Sequence, residues 1–118
     1  MDILIVDDDA DTREILGMIL RAEGHHVEEA ADGIDALERL QGGDHPSLIL
    51  LDMMMPRLDG EGLMRAMKRE PAVAGTPVYI LSGHQSVGAK ADELGASGYL
   101  TKPIDLDKLL TVLRETRG

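Results

Sequence analysis

Runs of aliphatic residues alternate along the chain with segments in which apolar residues recur every three or four positions. The aliphatic runs indicate β-strands, and a run without polar alternation is typical of a strand covered on both faces. The predicted strands lie at 3–6, 25–30, 48–51, 77–81 and 97–100. The second strand is short and polar, which indicates a weak strand near an edge of the sheet.

The segments between the strands predict five helices that each turn one apolar face to a sheet. Asp11-Thr12 is expected to open the first helix, with Asp9 or Asp11 as its cap, and Asp32-Gly33 to cap the second. Asp59-Gly60 is expected to close the loop before the third helix. The fourth helix is predicted over 87–94, and Gly88 inside it should make it the least stable of the five. The apolar positions assigned to helix faces are Ile15, Leu16, Ile19, Leu20, Ile34, Leu37, Leu40, Leu63, Ala66, Met67, Leu106, Leu109, Leu110 and Leu113.

Strict alternation of strands and helices with short connections predicts an α/β fold. Its expected form is a doubly wound parallel sheet of five strands, with five helices on its two faces and right-handed crossovers. No linker, repeat or low-complexity segment interrupts the pattern, so we expect one domain over residues 1–118.

Composition narrows the function classes. The chain has no cysteine, and its aromatic residues are two tyrosines, so the core should be aliphatic and contain methionine. Neither a signal peptide nor an apolar run of membrane length is present, and we expect a soluble, cytoplasmic protein without a membrane partner. The 22 acidic residues outnumber the 12 basic ones, which disfavours direct binding to nucleic acid and suits cations or basic partner surfaces.

Polar side chains follow four of the five predicted strands. Because the carboxyl ends of parallel strands meet at one edge of a sheet, where ligands bind in such folds, we expect these side chains to converge. They are Asp7, Asp8 and Asp9 after the first strand, Asp52 after the third, Ser82 after the fourth and Lys102 after the fifth.

These groups suit phosphoryl transfer. Neighbouring carboxylates repel each other, and a hard divalent cation relieves that repulsion. Mg²⁺ is the natural candidate, and Mn²⁺ could replace it. Lys102 and Ser82 supply donors for phosphate oxygens, and a carboxylate such as Asp52 can itself attack phosphorus to form an acyl phosphate.

Over its whole length the chain resembles the response-regulator receiver domain of bacterial two-component signalling. The matching segments are 3–8, 50–56 with Asp59-Gly60, 81–83 and 98–103. The resemblance implies a flavodoxin-like sheet in the strand order 2-1-3-4-5.

The resemblance also implies a role for each residue of the site. Asp52 corresponds to the phosphoacceptor. Asp8 would bind Mg²⁺ directly and Asp7 directly or through water, while Asp52 and the backbone carbonyl of Met54 would complete the protein ligands. His84 corresponds to a position that flanks the phosphate and could affect, with Met54, how water reaches the acyl phosphate.

A second set of implied roles concerns the response to phosphorylation. The Ser82 hydroxyl would turn to the phosphoryl oxygen, and Lys102 would pair with Asp52 and then with the phosphate. Tyr99 corresponds to an aromatic switch residue that turns inward when Ser82 moves. The Lys102–Pro103 peptide bond is expected to be cis.

The sequence thus predicts a phosphorylation switch and not an enzyme, one that catalyses only its own phosphorylation and slow autodephosphorylation. A histidine kinase or histidine phosphotransfer protein would donate the phosphoryl group. The surface formed by the fourth helix, fifth strand and last helix would then bind an unknown downstream protein. Dimerisation upon phosphorylation stays open at this point.

Four alternatives compete with this prediction. A nucleotide-binding Rossmann or P-loop domain fails because no Gly-rich loop follows the first strand. An aspartyl-phosphate phosphatase of the haloacid-dehalogenase type needs an acid two residues after the nucleophile, where this chain has Met54. A receiver-fold module that signals without phosphorylation would usually have lost Asp52, Lys102 or one of the paired acids. The chain could also be a receiver cut from a hybrid kinase or a larger regulator.

Overall fold

The computed structural model describes residues 1–43, 45–53, 57–83 and 87–117. The strands are β1 (Asp2–Val6), β2 (His26–Ala30), β3 (Leu48–Asp52), β4 (Val78–Ser82) and β5 (Gly98–Thr101). The helices are α1 (Ala10–Ala22), α2 (Gly33–Gln41), α3 (Gly60–Lys68), α4 (Val87–Leu94) and α5 (Leu106–Arg117).

All five strands run parallel in the order β2-β1-β3-β4-β5. The register pairs Val6 with Leu51, Asp52 with Leu81, and Ser82 with Thr101. The carboxyl ends of β1, β3, β4 and β5 therefore lie side by side. The predicted fold class and strand order are confirmed.

Two aliphatic layers cover the sheet because neighbouring residues of each strand point to opposite faces. One layer joins Leu51 and Ile80 to α2, α3 and α4, and the other joins Leu50 and Leu81 to α1 and α5. Every residue of β3 is buried, as its uninterrupted apolar run predicted. Met64 and Met67 of α3 lie in the first layer, in keeping with a core short of aromatic rings.

In the part of the chain that the structure describes, aspartates cap four of the helices, and the carboxylate of Asp105 does so for α5 by accepting from the amides of Asp107 and Lys108. Asp32 caps α2, as the sequence predicted, and Asp59, which was expected only to close the preceding loop, caps α3. Of the two candidates for α1, Asp9 is the cap, and its carboxylate accepts hydrogen bonds from the amide of Asp11 and the hydroxyl of Thr12. The first helix therefore begins before the polar pair at 11–12 that was expected to open it.

Two residues assigned to buried helix faces are exposed, and that prediction is wrong for them. Ile15 is 59% exposed and Leu106 is 50% exposed. Successive helical residues are turned by about 100°, so Ile15 stands at the margin of a stripe whose centre is the buried Leu16. Ile15 and Leu106 instead line a groove between α1 and the connection from β5 to α5.

Among the described residues, no helix combines the length and apolar character needed to cross a membrane.

Candidate functional site

Three carboxylates meet at the carboxyl edge of the sheet. Asp7, Asp8 and Asp52 each place one oxygen within 4.8 Å of the others. Asp7 and Asp52 are buried, and Asp8 is exposed. The predicted convergence of β1 and β3 on an acidic cluster is confirmed.

Local backbone geometry holds Asp7 in place. Its amide donates to the carbonyl of Ala30 at 3.1 Å, which extends the pairing of β1 and β2 by one residue. Its Oδ1 accepts a hydrogen bond from the amide of Asp9 at 2.9 Å, and its carbonyl accepts one from Nη1 of Arg13. Hydrogen bonds to its amide, its carbonyl and its carboxylate therefore hold Asp7 in place.

Lys102 brings a positive charge to the cluster. Its Nζ lies 2.9 Å from Oδ2 of Asp7 and 3.5 Å from Oδ1 of Asp52. Its backbone amide donates to the carbonyl of Ser82 at 2.8 Å, and the Lys102–Pro103 peptide bond is cis, as expected. The ammonium thus faces both buried carboxylates at once.

The pKa of Lys102 reflects this environment. Burial works to lower the pKa, but the hydrogen bond to Asp7 and the charges of Asp52 and Asp7 outweigh burial and raise it above the ordinary lysine value. Lys102 therefore stays cationic at neutral pH and offsets part of the carboxylate repulsion.

Ser82 and Tyr99 occupy the positions that the sequence assigned to a switch. Ser82 is buried at the end of β4, one residue beyond Leu81, the register partner of Asp52. Tyr99 pairs with Ile80 and is 48% exposed, so its ring is turned outward. Met54 and His84, which were given roles at the phosphate, lie outside the described residues.

Gly60 belongs to the Asp59-Gly60 pair of the resemblance, but the sequence assigned it no role at the site. Its amide donates to the carbonyl of Met53 at 3.2 Å. A Cβ atom at position 60 would lie 2.9 Å from the carbonyl oxygen of Asp52, closer than such contacts allow. Glycine lets the first turn of α3 press on the backbone of the acidic residue.

A second missed feature ties the loop after β3 to α2. Arg57 donates from Nε and Nη2 to the two carboxylate oxygens of Asp32, at 2.6 and 3.0 Å. Beside this pair, the amide of Gly33 donates to the carbonyl of Leu58 at 3.0 Å. The partners are 25 residues apart in sequence, and no local pattern signals such a pairing.

The donor set fits a hard divalent cation. Among the described residues the candidate ligands are carboxylate oxygens of Asp7, Asp8 and Asp52, which suit Mg²⁺ or Mn²⁺ and not a soft metal. Each oxygen of Asp7 already accepts one hydrogen bond, from Asp9 or from Lys102. Asp8, which is exposed, is thus the carboxylate with the freest approach from solvent.

Comparison with known proteins agrees with this geometry. Residues 3–114 match the family model of the response regulator receiver domain. The chain belongs to this family, whose members serve as signalling switches in two-component systems. Its fold matches the chemotaxis protein CheY4 of Vibrio cholerae with a TM-score of 0.88 and 29% identity, over 98% of this chain and 97% of that one. The Francisella response regulator 1452 receiver domain matches with a TM-score of 0.86 and 28% identity, over 98% and 94% of the two chains.

Curated relatives are longer than this chain. Response regulator MprA of Mycobacterium avium is 40% identical over 97% of this chain, which spans 50% of that protein. The gliding motility regulatory protein of Myxococcus xanthus is 45% identical over 85% of this chain and 13% of its own length. The chain therefore spans half or less of these two relatives.

Proposed function

We propose that Asp52 accepts a phosphoryl group from a phosphohistidine on a histidine kinase or histidine phosphotransfer protein. One Asp52 oxygen forms a bond to phosphorus while the phosphorus–nitrogen bond breaks, and the electron pair of that bond returns to the donor imidazole. The placement of Asp52 carries this proposal. It is a buried carboxylate at a strand end, 3.5 Å from an ammonium and beside two further carboxylates.

Asp8, Asp7 and Asp52 would hold Mg²⁺ or Mn²⁺, and the carbonyl of Met54 stays a predicted fourth ligand. The cation would neutralise charge on the transferring phosphoryl oxygens. Lys102, which already contacts Asp7 and Asp52, would pair with a phosphoryl oxygen once the phosphoryl group is bonded to Asp52. The divalent cation and the Lys102 ammonium would both lower the repulsion between the carboxylates and an incoming phosphoryl group.

Ser82 and Tyr99 would report the new phosphate. The Ser82 hydroxyl would donate to a phosphoryl oxygen, and Tyr99 would turn inward from its exposed position. The surface of α4, β5 and α5 would then favour a downstream protein, with dimerisation through α5 as one form of that contact. This assignment rests on the position of Ser82 beside the register partner of Asp52.

The groove between α1 and α5 suits the phosphodonor. The exposed apolar side chains of Ile15 and Leu106 line this groove together with Lys102. A donor helix seated on apolar residues there would carry its histidine to the carboxyl edge of the sheet. We therefore assign this face to the histidine-bearing partner.

We further propose that residues 1–118 form a single receiver domain. It would act as a switch that catalyses only its own phosphorylation and slow autodephosphorylation. One continuous five-stranded sheet with a helical layer on each face supports the single domain. A cytoplasmic location stays a prediction of the sequence.

Mass spectrometry after incubation with Mg²⁺ and acetyl phosphate tests the proposed function. The wild-type chain should gain one phosphoryl group, and Asp52→Asn should gain none. Asp2→Asn, which changes an exposed acid at the opposite end of β1, serves as the matched control and should behave as wild type. A folded wild-type chain that gains no mass from acetyl phosphate or phosphoramidate would favour a module that signals without phosphorylation.

A further inference from the structure

The ring of Tyr99 lies against the first turn of α4. A Cβ atom at position 88 would lie 3.1 Å from Cε1 of Tyr99 and 3.4 Å from its hydroxyl oxygen. The first distance is tighter than nearly all real Cβ contacts. Glycine at this position therefore leaves the space in which the outward ring rests.

Glycine is otherwise a poor choice at position 88. α4 has eight residues, and a glycine inside so short a helix disfavours the helix relative to alanine. The backbone at Gly88 does not need a positive φ angle, since the described glycines with positive φ are Gly24, Gly43 and Gly95. The close approach of Tyr99 is the feature of this position that alanine would disturb.

The helix is held more firmly than the ring. Ala91 and Leu94 of α4 are buried in the core layer that contains Ile80. Lys90 donates a hydrogen bond to Glu61 of α3 at 3.1 Å. Since Tyr99 is nearly half exposed, a Cβ atom at position 88 should displace the ring and not the helix.

We propose that Gly88 is a positioning residue for Tyr99, and that the missing Cβ atom at position 88 sets how strongly the ring is held outward. Tyr99 and Thr101 point to the same sheet face, and their partners Ile80 and Ser82 share it as well. The ring of Tyr99 and the hydroxyl of Ser82 therefore lie on the same face of the sheet, which is the face that α4 covers.

This inference rests on the proposed function for its consequence. If an inward ring accompanies Ser82 at the phosphoryl group, a change that disfavours the outward ring relative to the inward one favours the phosphorylated conformation. Gly88→Ala should then bias the chain toward its phosphorylated conformation before a phosphoryl group arrives.

Fluorine NMR of the chain labelled with 3-fluorotyrosine tests the position of the ring directly. The chain contains two tyrosines, and Tyr99→Phe assigns their resonances. In Gly88→Ala the Tyr99 resonance should move toward its position in the wild-type chain bound to Mg²⁺ and beryllium trifluoride, while the Tyr79 resonance stays. Gly75→Ala, where a Cβ atom meets nothing within 4 Å, should leave both resonances unchanged.

A double-mutant cycle on the rate of phosphorylation by acetyl phosphate tests the coupling. Gly88→Ala should raise the rate roughly twofold to thirtyfold, the range of coupling changes that mutations produce. The same substitution should have no effect in the Tyr99→Ala background, where no ring remains to displace. A merely stabilising effect of alanine on α4 would persist there.

The two experiments distinguish failure of the proposed role of Gly88 from failure of the proposed function. An unchanged Tyr99 resonance in folded Gly88→Ala overturns the role of Gly88, and so does a Gly88→Ala chain that no longer folds. A rate increase that persists without the Tyr99 ring overturns it as well. If no variant is phosphorylated but the Tyr99 resonance shifts as expected, the proposed function is wrong. The role of Gly88 in positioning the Tyr99 ring is then still supported.

Discussion

Lys102 is the residue on which the charge balance of the site depends. It contacts two buried carboxylates from different strands, and removing it would leave both without their cation. The raised pKa of Lys102 fixes the direction of the pH effect. Its stabilising contribution is complete below the ordinary lysine pKa and is lost as the pH rises through the raised value.

Lys102→Met should lower the free energy of unfolding at neutral pH by about 1–3 kcal/mol, because a buried acceptor loses a charged hydrogen-bond donor. Urea denaturation at neutral and at strongly alkaline pH measures the loss. The gap between wild type and variant should shrink above the raised pKa, where the wild-type lysine is neutral too. Lys108→Met, at an exposed position of α5, is the control, and an equal loss there would contradict the assignment.

The position of most candidate site residues at the edge of the sheet could be predicted, because these residues follow strands that aliphatic runs indicate. Asp7, Asp8, Asp52, Ser82 and Lys102 need only the rule that parallel strands end at one edge. The resemblance placed Tyr99, but neither the resemblance nor its exposed setting predicts that the ring rests on Gly88. The contact between Tyr99 and Gly88 depends on the position of α4 against the sheet, and no local sequence pattern predicts that position.

At the scale of elements, the connection from β3 to α3 is held by α2. Arg57 has a positive φ of 65°, which costs a residue with a side chain more than it costs glycine. The bidentate contact with Asp32 offsets that cost. A Cβ atom at Gly33 would lie 2.2 Å from the carbonyl oxygen of Leu58, so the two segments also meet through their backbones.

Variants of Arg57 separate the ion pair from the backbone conformation. Arg57→Ala should lower the melting temperature by a few degrees, and Arg57→Gly should lower it less, because glycine adopts the positive φ freely. Circular dichroism melts of the three chains at neutral pH measure this order. If Arg57→Gly were less stable than Arg57→Ala, the cost of the positive φ at position 57 would not matter for stability.

The pH dependence of the same variants follows from Asp32. Its pKa is lowered, chiefly by the hydrogen bond from Arg57 and next by that from the amide of Asp35. A lowered pKa gives stability that is present above the ordinary carboxyl value and is lost as the pH falls through the lowered one. The melting temperatures of wild type and Arg57→Gly should therefore converge in acid.

Elements were predicted better than their contacts. Strand ranges, the helix cap at Asp32 and the strand order all follow from aliphatic runs, a capping residue and the resemblance. The helical pattern could not show that Ile15 and Leu106 stay exposed, because a stripe's margin is decided by the neighbouring element. The Arg57–Asp32 pair joins two loops that only the folded sheet brings together.

The whole molecule carries a formal charge of −10 at pH 7, and three of its carboxylates converge at the carboxyl edge of the sheet. Such a cluster destabilises the folded chain unless a cation binds. Cation binding at the site should therefore stabilise the whole fold, since a ligand that binds only the folded state adds its binding free energy to stability.

Titration with MgCl₂ should raise the free energy of unfolding by about 2.7 kcal/mol at a hundredfold excess over the dissociation constant. Urea denaturation with and without Mg²⁺ measures this gain. Asp8→Asn should lose most of it, and NaCl at matched ionic strength should reproduce only the part due to screening. A gain as large with NaCl would argue against a specific cation site.

The contact between Asp7 and Lys102 spans 95 residues and joins the first strand to the last. The acidic edge can therefore receive its ammonium only once the chain has been made as far as Lys102. A chain truncated before β5 would lack the cation that faces Asp7 and Asp52.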